Sequence, residues 1–197
     1  MKVDVVTHYD LLIEEGNDPV LDPPALKAYM DQWDGQTFLD LLELNRRNRV
    51  LEIGCGTGRL AVKVAPFVKS FCGIDISPRT ITLAKSHLPC GNTELICADF
   101  LMYPFQTQFD LIYSSLTLMH IQDKEKAIRK IARLLTPSGR LVLSIDKNQD
   151  DILDFGTRKL KIYPDTPENI IDLLKQTRFV SIQRYETEYA YLIAASR

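Results

Sequence analysis

The sequence predicts an α/β fold: a doubly wound, mostly parallel seven-stranded sheet closed by a C-terminal antiparallel hairpin, with an N-terminal helical cap. Three observations predict it. From Val50 onward, short apolar runs alternate with stretches of helical period. The last two apolar runs, Val180 to Thr187 and Tyr189 to Ala195, are separated by little more than Glu188, so they turn back on each other. Residues 1–48 carry helical period and turn signals but no such alternation.

The cap comes first. Gly16-Asn17-Asp18-Pro19 and Asp22-Pro23-Pro24 are turn-rich. Leu26, Tyr29, Met30 and Trp33 then recur at three- and four-residue steps, Gly35 interrupts, and Phe38, Leu41 and Leu42 resume the period. Two short amphipathic helices follow from this, each needing a packing partner because neither is long enough to stand alone in water. Arg46-Arg47-Asn48-Arg49 reads as a solvated turn before a strand.

The core follows as residues 49–197. Val50 to Ile53 is a buried strand. Leu60, Ala61, Val64 and Ala65 make a short helix limited by Pro66. Phe71 to Ile76 is the next strand, and Pro78 to Leu88 a helix with proline in its first turn. Glu94 to Ala98 and Phe109 to Ser114 are strands. Asp123 caps a helix whose apolar face is Ala127, Ile128, Ile131, Leu134 and Leu135, and Pro137-Ser138-Gly139 stops it. Arg140 to Ile145 is the fifth strand; a helix from Pro167 to Gln176 leads into the hairpin. The polar stretch from Asp146 to Asp165 reads as a surface loop.

Composition narrows the function classes. The chain has 197 residues and a formal net charge of −2, without the basic excess of a nucleic-acid binder. Cys55, Cys72, Cys90 and Cys97 show no C-x-x-C spacing, so no zinc or dithiol motif is expected, and all four read as buried small hydrophobes. No apolar run reaches the roughly 18 residues that span a bilayer, and no cleavable leader opens the chain. The expectation is a cytoplasmic protein with reduced thiols, monomer or homodimer.

The chemistry is concentrated at strand ends. Glu52-Ile53-Gly54-Cys55-Gly56-Thr57-Gly58-Arg59 ends the first parallel strand and opens a helix, where open α/β sheets bind ligands. The spacing is G-x-G-x-G, with Arg59 where a dinucleotide loop needs its last glycine, and no Lys-Ser/Thr follows as in a phosphate loop. The loop therefore suits a nucleoside ligand without a pyrophosphate. Asp75, about 20 residues beyond the first glycine, ends the second strand and can accept hydrogen bonds from both hydroxyls of a ribose. Ser77 is better placed to cap the next helix. After the third strand, Asp99 can accept from an exocyclic adenine amine, and Ile76 and Phe100 can sandwich the ring.

Together, Glu52 to Gly58, Asp75 and Ala98-Asp99-Phe100 resemble the class I S-adenosylmethionine-dependent methyltransferases, over about Val50 to Asp146, and the closing hairpin matches too. The resemblance implies one methyltransferase domain over the whole chain, with S-adenosylmethionine as cofactor. It gives Gly54, Gly56 and Gly58, with Glu52 and Cys55 of the same loop, to the methionine part of that cofactor. Asp75 goes to the ribose, and Asp99 with Ile76 and Phe100 to the adenine. Ser114-Ser115-Leu116-Thr117-Leu118-Met119-His120 should border the sulfonium, with Ser114 as a contact. The Asn/Asp-Pro-Pro-aromatic motif of adenine-N6 DNA methyltransferases is missing there. Tyr9 resembles the Tyr-Asp segment that folds over the cofactor in such enzymes, and His120 is a candidate contact or general base.

The implied activity is methyl transfer to a small molecule. Methylation of RNA or protein on the same fold, cofactor binding without catalysis, and a nicotinamide-dependent oxidoreductase remain alternatives, Arg59 counting against the last.

Overall fold

The computed structural model describes residues 1–89 and 91–197; Cys90, read above as a buried small hydrophobe, lies outside the described residues. The chain opens with strand β1 (Lys2–Val3) and helix α1 (Val5–Glu14), capped by the Asp4 carboxylate accepting from Thr7 N. Helices α2 (Pro24–Asp34) and α3 (Gln36–Leu41) follow, broken at Gly35 as the periodicity requires. Strand β2 (Arg49–Ile53), helix α4 (Ala61–Val64), strand β3 (Ser70–Asp75), helix α5 (Pro78–His87), strand β4 (Thr93–Cys97) and strand β5 (Phe109–Ser115) come next. Helix α6 (Lys124–Leu134), strands β6 (Leu135–Asp146), β7 (Ile152–Asp154) and β8 (Lys159–Lys161), helix α7 (Pro167–Gln176) and strands β9 (Val180–Glu186) and β10 (Ala190–Ser196) complete it.

Seven strands form one sheet in the order β4-β3-β2-β5-β6-β10-β9. The pairs from β4 through β6 are parallel, and β10 runs antiparallel to both β6 and β9. The chain moves outward from β2 to β4, then returns to β5 on the other side of β2. That reversal opens a crevice at the carboxyl ends of β2 and β5, the usual ligand position in such sheets. The parallel strands are apolar on both faces because helices cover both. One core packs Ile128, Ile131, Ile170 and Leu174 of α6 and α7 on one face; the other packs Phe38, Leu42, Ala61 and Val64.

The caps behave as the sequence expects. Ser77 accepts from Thr80 N at 3.1 Å ahead of Pro78, and Asp123 accepts from Lys126 N at 2.8 Å. Three expectations need correction. Strand β6 starts at Leu135, not Arg140: Leu135 pairs with Phe109, and a register shift absorbs Thr136 to Gly139 before Arg140 pairs with Leu111. The Asp146 to Asp165 stretch is not all loop, because β7 and β8 join β1 in a second, three-stranded sheet. Cys97 is exposed, whereas Cys55 and Cys72 are buried as expected.

Candidate functional site

Three strand ends meet at one cavity of about 470 Å³. Gly54 leaves β2 with φ +74°, a conformation that glycine reaches without steric cost. A Cβ there would stand 2.0 Å from Thr117 Oγ1, so this position is glycine for space as well. Asp75 ends β3 and ties two tips together: one carboxylate oxygen accepts from Gly56 N at 3.0 Å, the other from Ser77 N at 3.0 Å. Burial raises its pKa against the pull of those backbone donors. Each carboxylate oxygen keeps a further lone pair for a ligand. Asp99 follows β4, exposed, with one oxygen accepting from Leu101 N at 2.7 Å.

Of the residues singled out from sequence, Tyr9, Gly54, Gly56, Asp75, Ile76, Asp99, Phe100 and His120 line the cavity. Glu52, Cys55, Gly58 and Ser114 stand behind its wall. Glu52 is buried and accepts from Tyr113 Oη at 2.8 Å; burial pushes its carboxyl up to about 8. Cys55 packs against Gly73, where a Cβ would meet its Sγ at 2.9 Å. Gly58 faces Leu88, and Ser114 Oγ donates to Ile53 O at 2.9 Å. Strand alternation turns Ser114 away and brings Ser115 to the cavity.

Tyr9 and His120 form the roof. Tyr9 Oη lies 2.9 Å from His120 Nε2, across 111 residues of sequence. Burial lowers the His120 pKa to about 4, helped by His8 and Lys124, and raises that of Tyr9. His120 Nδ1 is buried without a partner. Behind the roof, Arg158 donates to His8 Nδ1 at 3.0 Å and to both Glu15 oxygens. Helix α1 also docks on α5: Asp10 accepts from Ser77 Oγ at 2.7 Å and from Arg79 N at 3.2 Å.

Sequence reading missed Asp34, Arg59 in its actual role, and the backbone conformation of Leu116. Arg59 clasps the fully buried Asp34 at the end of α2 with both terminal nitrogens. Ser115 Oγ donates to the same carboxylate at 2.5 Å. A carboxylate buried this way needs such compensation, and it pins the cap to two strand tips. Arg59 was legible only as a missing glycine. Leu116 takes φ +53° at the cavity wall, a conformation that costs a non-glycine residue about 1 kcal/mol or more. No residue type announced it.

A glycine cradle, a carboxylate at the tip of β3, apolar Ile76 and Phe100 and a roof of Tyr9 and His120 suit an adenosyl ligand. Comparison with known proteins agrees with that shape. Residues 51–143 match the methyltransferase domain family. That match supports a class I S-adenosylmethionine-dependent methyltransferase. It is 37% identical over 122 residues to an uncharacterized methyltransferase of Anoxybacillus flavithermus, covering 60% of this chain and 57% of that protein. It is also 37% identical over 113 residues to phosphoethanolamine N-methyltransferase 3 of Arabidopsis thaliana, covering 54% and 23%. The chain thus spans about half or less of the length of these relatives. In fold it is similar to the N-methyltransferase NodS of Bradyrhizobium japonicum, solved with S-adenosylhomocysteine: TM-score 0.73, 20% identity, 99% of both chains covered.

Proposed function

We propose that the protein passes the methyl group of S-adenosylmethionine to a small molecule by in-line displacement, its cap and core acting as one domain. The observation that carries this reading is the convergence of Gly54, Gly56, Asp75 and Asp99 on one cavity roofed by Tyr9 and His120. In this reading Gly54 and Gly56 admit the methionine part, with Gly58, Cys55 and Glu52 holding the loop from behind. Asp75 accepts from the ribose hydroxyls. Ile76 and Phe100 flank the adenine, and Asp99 takes its amine. Phe100 is held for this by Lys130, whose Nζ sits 5.2 Å from its ring centroid and donates to Tyr103 O at 2.5 Å.

The cofactor, when bound, supplies a methyl on an activated leaving group. The chain's own residues then align the acceptor and exclude water. Tyr9 and His120 contact the acceptor, and the neutral imidazole orients the Tyr9 hydroxyl. Small size of the acceptor is supported by the absence of a basic excess and by the cap, which sets Val5, Tyr9 and Met30 against the cavity. No helix is long and apolar enough to cross a membrane among the described residues. A cytoplasmic setting and a monomer or homodimer complete the proposal.

Calorimetry tests the cofactor: we expect tight binding of S-adenosylmethionine and S-adenosylhomocysteine and negligible binding of NAD, and the reverse would remove the reading. Labelled cofactor with a metabolite extract tests transfer. Repeated failure to label any component would favour binding without catalysis.

A further inference from the structure

Helix α1 presents three faces, set apart by the roughly 100° that each residue turns about the axis. Val5 and Tyr9, one turn apart, line the cavity. Asp10 and Glu14 face α5, where Asp10 accepts from Ser77 Oγ and Glu14 forms an exposed pair with Arg79 at 2.6 Å. His8 and Glu15, about two turns apart on the remaining face, both meet Arg158. That guanidinium, 5% exposed, donates through Nε to His8 Nδ1 at 3.0 Å and through its terminal nitrogens to both Glu15 oxygens. Two grips spaced along one face fix the roll of a helix as well as its height. Apolar packing does less of this, since His8 is the one buried residue of α1.

Arg158 also belongs to the piece of chain that holds the other half of the roof. It stands just before β8, which pairs with β1: Lys2 faces Lys159 and Val3 faces Leu160. Beyond the far end of β8, Tyr163 N donates to Met119 O at 2.7 Å, and Tyr163 O accepts from Lys124 Nζ at 2.6 Å. Met119 adjoins His120. One short strand thus carries a grip on the helix of Tyr9 at one end and a grip on the turn of His120 at the other.

A buried ion pair adds little net stability over an apolar substitute, so stability alone does not account for Arg158. Orientation does. A roll of α1 by about 20° would swing the Tyr9 hydroxyl through about 3 Å, and a misplacement of about 1 Å at a reacting centre can cost about a hundredfold in rate. We propose that Arg158 is a positioning residue for methyl transfer: by gripping His8 and Glu15 it sets the roll of α1 and so aims the Tyr9 hydroxyl, against His120, at the acceptor. This rests on the methyl-transfer reading, in which Tyr9 and His120 contact the acceptor.

Arg158→Lys keeps the charge and gives up the planar fork, leaving α1 to roll about its Asp10 contact. NMR titration of the three histidines reads the result at His120. In the native protein burial, with His8 and Lys124 beside it, holds the His120 pKa down at about 4. Once α1 rolls, water reaches the ring, and the midpoint should rise by about one unit or more toward the ordinary value of about 6.5. Lost stability alone would not move the titration of the native ring. Transfer from labelled S-adenosylmethionine to a metabolite extract should fall about tenfold or more, while S-adenosylhomocysteine affinity by calorimetry stays within about twofold. On a Tyr9→Phe background, with no hydroxyl left to aim, Arg158→Lys should cost transfer no more than about twofold. Glu15→Gln relaxes one grip at a half-exposed position and should shift His120 the same way by less; it carries the same readouts if Arg158→Lys does not fold. An unmoved His120 midpoint, undiminished transfer, or equal loss of transfer with and without the Tyr9 hydroxyl each overturns the positioning role and leaves the cofactor site standing. Native protein that binds no S-adenosylhomocysteine, or labels nothing, overturns the reading beneath it.

Discussion

Gly54, Asp75 and Asp99 each lie at or within a residue or two of a strand end, whereas the roof joins residues far apart in the chain. Tyr9 meets His120 across 111 positions, Glu15 meets Arg158 across 143, and His8 meets Arg158 across 150. The cavity wall is shaped by backbone that the sheet holds rigid. Its roof is held by side-chain pairs, with a two-residue strand beneath. Wall and roof should therefore fail differently, and the experiments that separate them fall in order of size.

The largest effect belongs to the seam between them. Arg59→Ala strands the buried Asp34 charge and should cost about 3–5 kcal/mol in denaturant unfolding. A loss below about 1 kcal/mol would show that the cap does not hang on this pair.

Next comes acidity. His8 and His120 are both held down to about 4, chiefly by burial, against about 6.5 unfolded. Between those values the unfolded chain binds protons that the native one refuses. Stability contributed by the roof is therefore lost as pH falls from about 6.5 to 4, on the order of a few kcal/mol. Glu52, behind the wall, has the opposite sign: its carboxyl is raised to about 8, so its contribution is present below about 4.5 and lost as pH rises through 8. Melting temperatures against pH should show a shallower acid limb in the double variant His8→Gln/His120→Gln. Glu52→Gln should flatten the alkaline side. Identical pH profiles in all three proteins would erase the distinction.

Two smaller effects test single contacts. Asp75→Ala should weaken cofactor binding by roughly 1–3 kcal/mol, the usual cost of losing a charged acceptor; unchanged affinity by calorimetry refutes the ribose assignment. Tyr9→Phe removes the bond to His120 and should cost about 0.5–1.5 kcal/mol of stability, while cofactor affinity changes little. A large fall in cofactor affinity would move Tyr9 from roof to wall.

What the sequence made legible follows the same division. The seven strands, their hairpin closure and the helix caps at Ser77 and Asp123 were readable because each depends on residues within a few positions. The wall residues were readable for the same reason. Helix α1 was passed over: Val5, Tyr9, Leu12 and Ile13 recur at helical steps but are only half-buried, and the one buried residue is His8. Strand β8 was hidden because it pairs with β1, at the other end of the chain, and β7 because it is three residues long and pairs only with β8 among the described residues. Asp34 carries no local signature, since its meaning comes from Arg59 and Ser115. Ser115 lost its place to Ser114 through a one-residue error in strand phase, which reverses every side chain.

The clash between a Cβ at position 54 and Thr117 has a lasting consequence for this chain's descendants. Two unrelated locks hold the same site, one set by dihedral angle and one by volume. Trimming Thr117 would release only the second, so no single compensating change frees position 54. Position 54 is accordingly held by a residue some sixty positions downstream as well as by its own backbone.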